Sequence, residues 1–530
     1  MNSPLPISPS DLDPMARKYP LTLPAPSLTN ASGDIDRLMS ALKGVLPAGK
    51  TAVEITVPLD LVRRASSIMR EVAYHVTAVV AQKDESLELI DLIAGHNPVD
   101  CYGVAVDVGT TTVSLYLVNM TKGEIVGKLA VDNPQVIHGE DILSRIHFAQ
   151  QRRGLQTLQD LIVSCINEAI TILAEKQRLR PSDICAVSIA GNPTMTHLLL
   201  GLSPYHLCRE PYIPVINQPL QIKAEELMIN THHEAPVYVF PNTGSYFGGD
   251  VVAGILASGM HRQSGVSLLT DVGTNAEIVL GNRDWLVACA GAAGPALEGG
   301  GAKTGMTARE GAIERVRIDR RTLEPVIEVI GGGPARGICG SGLIDLVAEL
   351  FLAGVIDPRG RISDGKQTRR IMTSGDVKAY AVALAEEREA SQDILVDELD
   401  IGNLIRAKGA MYTALSLITE RLGVRFKDLD TFFVAGSFGE HIDPKSAIAV
   451  GMLPDIPLER FKVIGNSAGI GACMMLVSYK LREEVEYIRS KSAYLQLNVE
   501  NEFMNRLNAA LFIPHTDREL FPSIRPSTSF

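Results

Sequence analysis

No stretch of about eighteen consecutive apolar residues occurs in this 530-residue chain, so no segment reads as a membrane span. The first residues, MNSPLPISPSDLDPMARKYP, lack the basic start and apolar run of a secretory leader, and the expected location is the cytoplasm. Surplus positive charge is missing too. Fifty Lys and Arg against 61 Asp and Glu leave a formal charge of −11, which excludes nucleic acid or an anionic membrane as the main partner. Cysteine is scarce: seven residues (101, 165, 185, 208, 289, 339, 473) are scattered without a close pair. That pattern suits reduced thiols rather than a disulfide frame, each read first as a small buried hydrophobe. His138, His147, His197, His206, His232 and His233 show no ligand spacing, which argues against a histidine metal site.

What is present is ordinary globular material, 46% apolar and 21% charged, long enough for two to four domains. Residues 1–20, rich in Pro and Ser without an apolar period, are expected to be a disordered tail. Residues 21–100 read as a small α/β domain, with helices in DIDRLMSALKG and LVRRASSIMREVAY and strands in TAVEITVP, HVTAVVAQ and SLELIDLIAG. CYGVAVDVGTTTVSLYLVNMTKGEI then opens a domain expected over 101–262. SLLTDVGTNAEIVLGN opens another over 263–530. Both openings run strand, Asp-Val-Gly-Thr, strand, and the shared flanks favour duplication over chance. TFFVAGSFGEHID and FKVIGNSAGIGA each read as a buried strand entering a glycine turn, and 203–236 and 358–400 read as insertions.

A phosphate chain needs outward backbone N–H groups, little side-chain bulk, and a nearby carboxylate that holds Mg²⁺ through water. DVGTTT supplies Asp107, Gly109, Thr110, Thr111 and Thr112; DVGTN supplies Asp271, Gly273, Thr274 and Asn275. Two facing copies would grip one triphosphate. A strand follows each loop, so neither is a Rossmann or P-loop entry. GVLPAGKT at 44–51 matches the Walker A pattern, but a helix precedes it and a strand follows, the reverse of a working P-loop, and Lys50 is expected to be solvated.

DVGTTT, DVGTN and VAGSFG resemble the two phosphate loops and the adenosine loop of the actin/sugar-kinase/heat-shock-chaperone (ASKHA) ATPases. The resemblance implies an α/β fold: a duplicated actin-like, ribonuclease-H-like two-lobe ATPase following the small N-terminal α/β domain. It also assigns Gly436, Ser437, Phe438 and Gly439 to the adenosine. The wider text is similar to the reductive activators of corrinoid enzymes: the DNPQ at 132–135, GEDILSRI, AGNPTMTHLLLG, GICGSGLIDLVAEL, AGSFGEHID and FIPHTDRELFP. This resemblance implies ATP with Mg²⁺ as cofactors, ATP hydrolysis coupled to Co(II)-to-Co(I) reduction, and a corrinoid protein or corrinoid-dependent methyltransferase as partner. Family members typically carry a plant-type [2Fe–2S] domain with C-x₄-C-x₂-C spacing. No cysteines here match it, so no such cluster is expected in this chain. Either a separate ferredoxin-like donor serves it or the domain was trimmed, and a homodimer stays open.

Asp107 and Asp271 are the candidate catalytic and Mg²⁺ carboxylates, against a structural reading as turn caps. Asp250, at the start of GGDVVAG, is either the residue that polarises the attacking water or a helix N-cap. Asn192 and Thr194 in GNPTM line a cleft or form a strand-end turn. Cys289 and Cys339 are two buried thiols or, less favoured and implied only by the resemblance of CAGAAGPALE to the ATPase activators of acyl-CoA dehydratases, ligands of a [4Fe–4S] cluster shared between subunits. The rival functions are a small-molecule kinase of the sugar-kinase type and a chaperone-like, nucleotide-regulated binding module.

Overall fold

The computed structural model describes residues 3–47, 50, 53–218, 220–273, 276–291, 302–366, 368–374, 377–387, 392–436, 439, 441–496 and 503–525. The chain divides into two units, residues 1–257 with 468–490, and residues 258–467 with 491–530.

Ten strands carry the common core of the two units. In the first, β1 (Tyr102–Val108), β2 (Thr112–Asn119), β3 (Glu124–Asp132), β4 (Ile184–Gly191) and β5 (Pro236–Val239) lie in the order β3-β2-β1-β4-β5. The first three form an antiparallel meander, and β4 and β5 extend it in parallel with β1. Alternation explains which face is which. Val104, Val106 and Val108 of β1 and Val113, Leu115 and Leu117 of β2 bury against Leu158, Ile162, Ile166 and Ile170 of the helix Gly154–Lys176. Among the described residues this helix alone is long and apolar enough to cross a membrane, but its apolar stripe is spent on that core. On the other face, a Cβ at Gly103 would lie 3.0 Å from Leu476, in the helix Ser467–Val477.

The second unit repeats the plan. β6 (Ser267–Val272), β7 (Ala276–Gly281), β8 (Leu286–Gly291), β9 (Thr431–Ala435) and β10 (Phe461–Gly465) lie in the order β8-β7-β6-β9-β10, with β6, β9 and β10 parallel. Leu268, Ile278 and Leu280 share a core with Leu343 and Val347 of the helix Gly340–Leu352 and with Leu404, Met411 and Leu415 of the helix Glu398–Arg421. A reciprocal capping box starts the latter: Asp397 accepts from Asp400 N and Asp400 from Asp397 N, at 2.9 and 3.1 Å. Deeper along it, the fully buried Lys408 donates to the carbonyls of Phe512 and Pro514 at 2.5 and 2.7 Å. That contact ties down the FIPHTDRELFP segment.

Four expectations need correction. Residues 3–20 are ordered, not a tail. Ser3–Pro4 pairs with the edge of β3, and Ala16–Thr22 pairs in full with His75–Ala81 in the small N-terminal sheet. Met15 is fully buried, and its N–H donates to Leu476 O at 2.9 Å. A segment without a period of its own is fixed here by edges that other segments supply. The second domain does not run unbroken from 263 to 530, because residues 468–490 return to the first unit, where they cover the second face of its sheet. The insertion expected over 203–236 ends in sheet and core. Leu220–Lys223 pairs with β5, and Ala224, Leu227 and Ile229 are buried. Finally, β10 is an edge strand with Lys462 and Val463 exposed, not a buried one.

Candidate functional site

In the first unit the site begins where β1 ends. Asp107 stands opposite Ser114 on β2 and Ala190 on β4, half-buried, on the face away from the Val104–Val106–Val108 core. The chain then turns so tightly that a Cβ at Gly109 would come 2.5 Å from Thr112 O, which explains the glycine. The three turn carbonyls all point into the protein. Gly109 O accepts from Asn133 Nδ2 at 2.9 Å, Thr110 O from Arg145 Nη2 at 2.6 Å, and Thr111 O from Asn133 N at 2.7 Å. A planar trans peptide sets its N–H opposite its C=O, so the amides of Thr110, Thr111 and Thr112 point away from that scaffold. A loop with its amides turned this way can receive an anion.

Asn192 sits at the turn after β4. It caps the helix Pro193–Leu199 by accepting from Met195 N at 2.9 Å, and its Nδ2 donates to Thr110 Oγ1 at 3.1 Å. Thr194 is buried. Asp250 is no N-cap: it lies in the first turn of the helix Gly249–Ser258, where Oδ1 accepts from the next amide, Val251 N, at 2.8 Å. A Cβ at Gly248 would lie 2.5 Å from Asp250 Oδ1 and 2.7 Å from Asn192 Cα. That glycine lets the start of one helix abut the other, so Thr110, Asn192 and Asp250 form one cluster at the C-terminal ends of β1, β4 and β5.

In the second unit three parallel strands converge on one carboxylate. Asp271, near the end of β6, accepts from Ser467 Oγ at 3.1 Å, just beyond β10. Gly436 follows β9 with φ +93°, and a Cβ there would lie 2.7 Å from Asp271 Oδ1. Only glycine suits both the left-handed backbone and the close approach. Asp271 keeps partial exposure, yet protein atoms crowd its carboxyl, and burial pushes its pKa up to about 6, against the lowering effect of Ser467. A cation beside it would favour the ionised form. Gly273 and Gly439 flank this point within their turns. Thr274, Asn275, Ser437 and Phe438 lie outside the described residues.

Several residues carry no weight in the site. Lys50 is not merely solvated, since its Nζ pairs with Asp13 Oδ1 at 2.5 Å in the small N-terminal domain, between a helix and a short strand. Cys289 and Cys339 are buried thiols, the first with its pKa pushed well up by burial and the second donating to Ile313 O at 3.3 Å. His197 is a core residue that donates from Nδ1 to Pro193 O at 2.6 Å and accepts from Val215 N at 2.9 Å. Among the described residues, no group of three or more His, Cys, Asp or Glu is arranged to hold a metal. Sequence reasoning missed Asn133, Arg145 and Ser467, although DNPQ, GEDILSRI and GNSAG had each stood out as strings.

Two sheets of the same strand order, each with a carboxylate near the end of its first strand and a glycine just after it, match the plan of the nucleotide-binding ASKHA class. Family comparison agrees. The RACo linker region matches residues 8–97, the RACo middle region 102–263, and the C-terminal domain of RACo, the ASKHA domain, 265–525. The chain belongs to this family of reductive activators of corrinoid proteins. It is 31% identical to the "Corrinoid activation enzyme RamQ" of Eubacterium limosum, over 81% of this chain and 73% of that protein. It is 24% identical to the "[Co(II) methylated amine-specific corrinoid protein] reductase" of Methanosarcina barkeri, over 76% and 75% of the two chains. A solved "Reductive activator for corrinoid,iron-sulfur protein" superposes with a TM-score of 0.90 at 37% identity, covering 98% of this chain and 82% of that one.

Proposed function

We propose that this chain is an ATP-dependent reductive activator: it couples ATP hydrolysis to return of a partner's corrinoid cobalt from Co(II) to Co(I). The observation that carries the reading is the likeness to a reductive activator over 98% of the chain. The loop geometry supports the nucleotide half, since both units offer a glycine turn with a carboxylate at the strand end.

Gly109 and Thr110–Thr112 receive phosphate oxygens through outward amides and hydroxyls, and the family resemblance assigns Gly273, Thr274 and Asn275 the same role. Gly436, Ser437, Phe438 and Gly439 border the adenosine. Asp107 and Asp271 would each serve as a Mg²⁺ carboxylate, and Asp250 would orient the water that attacks the terminal phosphate. When bound, Mg²⁺ offsets phosphate charge in the transition state. Water cleaves ATP to ADP and phosphate, and one electron from a separate low-potential donor converts Co(II) to Co(I). Nucleotide and partner affinities are then coupled reciprocally.

The test is anaerobic absorbance of a Co(II) corrinoid protein with a low-potential donor, with and without Mg-ATP. Co(I) is expected to accumulate only with Mg-ATP. If no corrinoid protein alters ATP turnover while a sugar or carboxylic acid raises it strongly, the chain is a small-molecule kinase instead.

A further inference from the structure

The DNPQ and GEDILSRI strings have no role in the function as stated so far, yet the fold brings both behind the first glycine turn. Asn133 and Gln135 belong to the one, Arg145 to the other. Arg145 is fully buried. Its Nε donates to Gly139 O at 2.9 Å, its Nη1 to Gln135 Oε1 at 3.2 Å and to Met195 Sδ at 3.3 Å, and its Nη2 to Thr110 O at 2.6 Å. Every one of these acceptors is neutral. Asp141 is the carboxylate whose charge reaches it. That side chain is committed elsewhere, accepting from Ser144 N and Ser144 Oγ at 2.9 Å each and capping its own helix.

A buried guanidinium among neutral acceptors is costly, and burial lowers its pKa to about 10. Its place in the fold suggests what offsets the cost. The charge lies one peptide unit behind the turn whose amides face the other way, so any anion seated on those amides also faces the cation.

We propose that Arg145 is the positioning residue of the first phosphate loop: it draws the Thr110 carbonyl inward and supplies the charge that the phosphate chain of a nucleotide neutralises. The inference rests on the ATP reading above and deepens it. Gln135 sets the guanidinium through Oε1 while its Nε2 donates to Leu158 O at 2.8 Å, and Asn133 holds the flanking carbonyls. Selectivity follows: the arrangement favours triphosphate over uncharged nucleoside.

The test is calorimetric binding of Mg-ATP, Mg-tripolyphosphate and adenosine to the full chain and to Arg145→Lys and Arg145→Gln. Arg145→Gln is expected to lose about tenfold or more in ATP and tripolyphosphate affinity, the size of one unit charge at short range in a partly buried site. Its adenosine affinity stays within about twofold, and Arg145→Lys, which keeps the charge, recovers most of the phosphate affinity. A merely structural Arg145 would lower all three ligands together in both variants, and that result overturns the proposal. If Arg145→Gln fails to fold by circular dichroism, Gln135→Glu serves instead. It leaves the arginine in place, neutralises it with a carboxylate, and is expected to weaken ATP and tripolyphosphate but not adenosine; wild-type tripolyphosphate affinity in that variant overturns the proposal. A wild-type chain that binds none of the three probes overturns the ATP reading itself. One that binds all three, with wild-type tripolyphosphate affinity in Arg145→Gln, overturns only the role of Arg145.

Discussion

The two glycine turns come from the same strand plan, each with a carboxylate at the strand end, but different groups pack against them. The turn at Gly109 is backed by the buried cation of Arg145, which holds a turn carbonyl. Among the described residues, a serine hydroxyl and a close-approaching glycine backbone meet the Asp271 carboxyl, and burial raises its pKa. Duplication copied the backbone of the strands, while the elements inserted after them set the charge. In one unit the antiparallel meander is followed by DNPQ and GEDILSRI; in the other, the strands β9 and β10 bring Gly436 and Ser467 to the carboxylate.

The largest effect that would break this comparison concerns turnover. Asp107→Ala and Asp271→Ala are each expected to cut ATP hydrolysis roughly a hundredfold or more in a folded protein, the loss that the proposed role at the Mg²⁺–phosphate charge implies. Steady-state phosphate release measures it, and wild-type turnover in either variant removes that residue from the site. Next comes Gly436→Ala. The substitution adds a methyl close to Asp271 at φ +93°, where L residues are strained by about 1–3 kcal/mol, and is expected to weaken ATP binding while Tm falls. Unchanged Tm and affinity would show that the turn relaxes freely.

Asp271→Asn sharpens the electrostatic half. A carboxyl raised from 3.8 to about 6 binds its proton more tightly in the folded state. Its effect on stability is therefore absent below about pH 4 and grows as pH rises through 6, to at most about 3 kcal/mol of destabilisation. The nucleotide-free variant should be more stable than wild type at pH 8, with the gap closing toward pH 4. A gap that stays constant in a Tm series over that range would deny the buried charge. The smallest effect is that of Lys50→Ala. The Asp13 pair is partly exposed, so its loss is expected to cost about 1 kcal/mol or less and leave ATP turnover unchanged. An inactive, folded Lys50 variant would move the nucleotide site to the N-terminal domain.

Legibility differed by the kind of signal. Local signals were plain: valine alternation on β1 and β2, the Asp-Val-Gly-Thr turns, and a helix before and a strand after GVLPAGKT all follow from neighbouring residues. Asn192 was half legible, since an N-cap is local and a hydrogen bond to Thr110 is not. Residues 3–20 were misread because their order comes from backbone pairing with strands and a helix far along the chain, which leaves no period in the segment. The helix over 468–477 was equally hidden, because nothing in SAGIGACMMLV states which unit it will cover.

The sequence by itself determined the duplicated strand–turn–strand plan, the glycines at the turns and the family, because these are written in short-range pattern and side-chain size. Only the tertiary structure decided that Arg145 stands behind Thr110 and that Ser467 and Gly436 meet at Asp271. Charge and burial depend on distances between residues tens to hundreds apart in sequence, and packing alone fixes those distances.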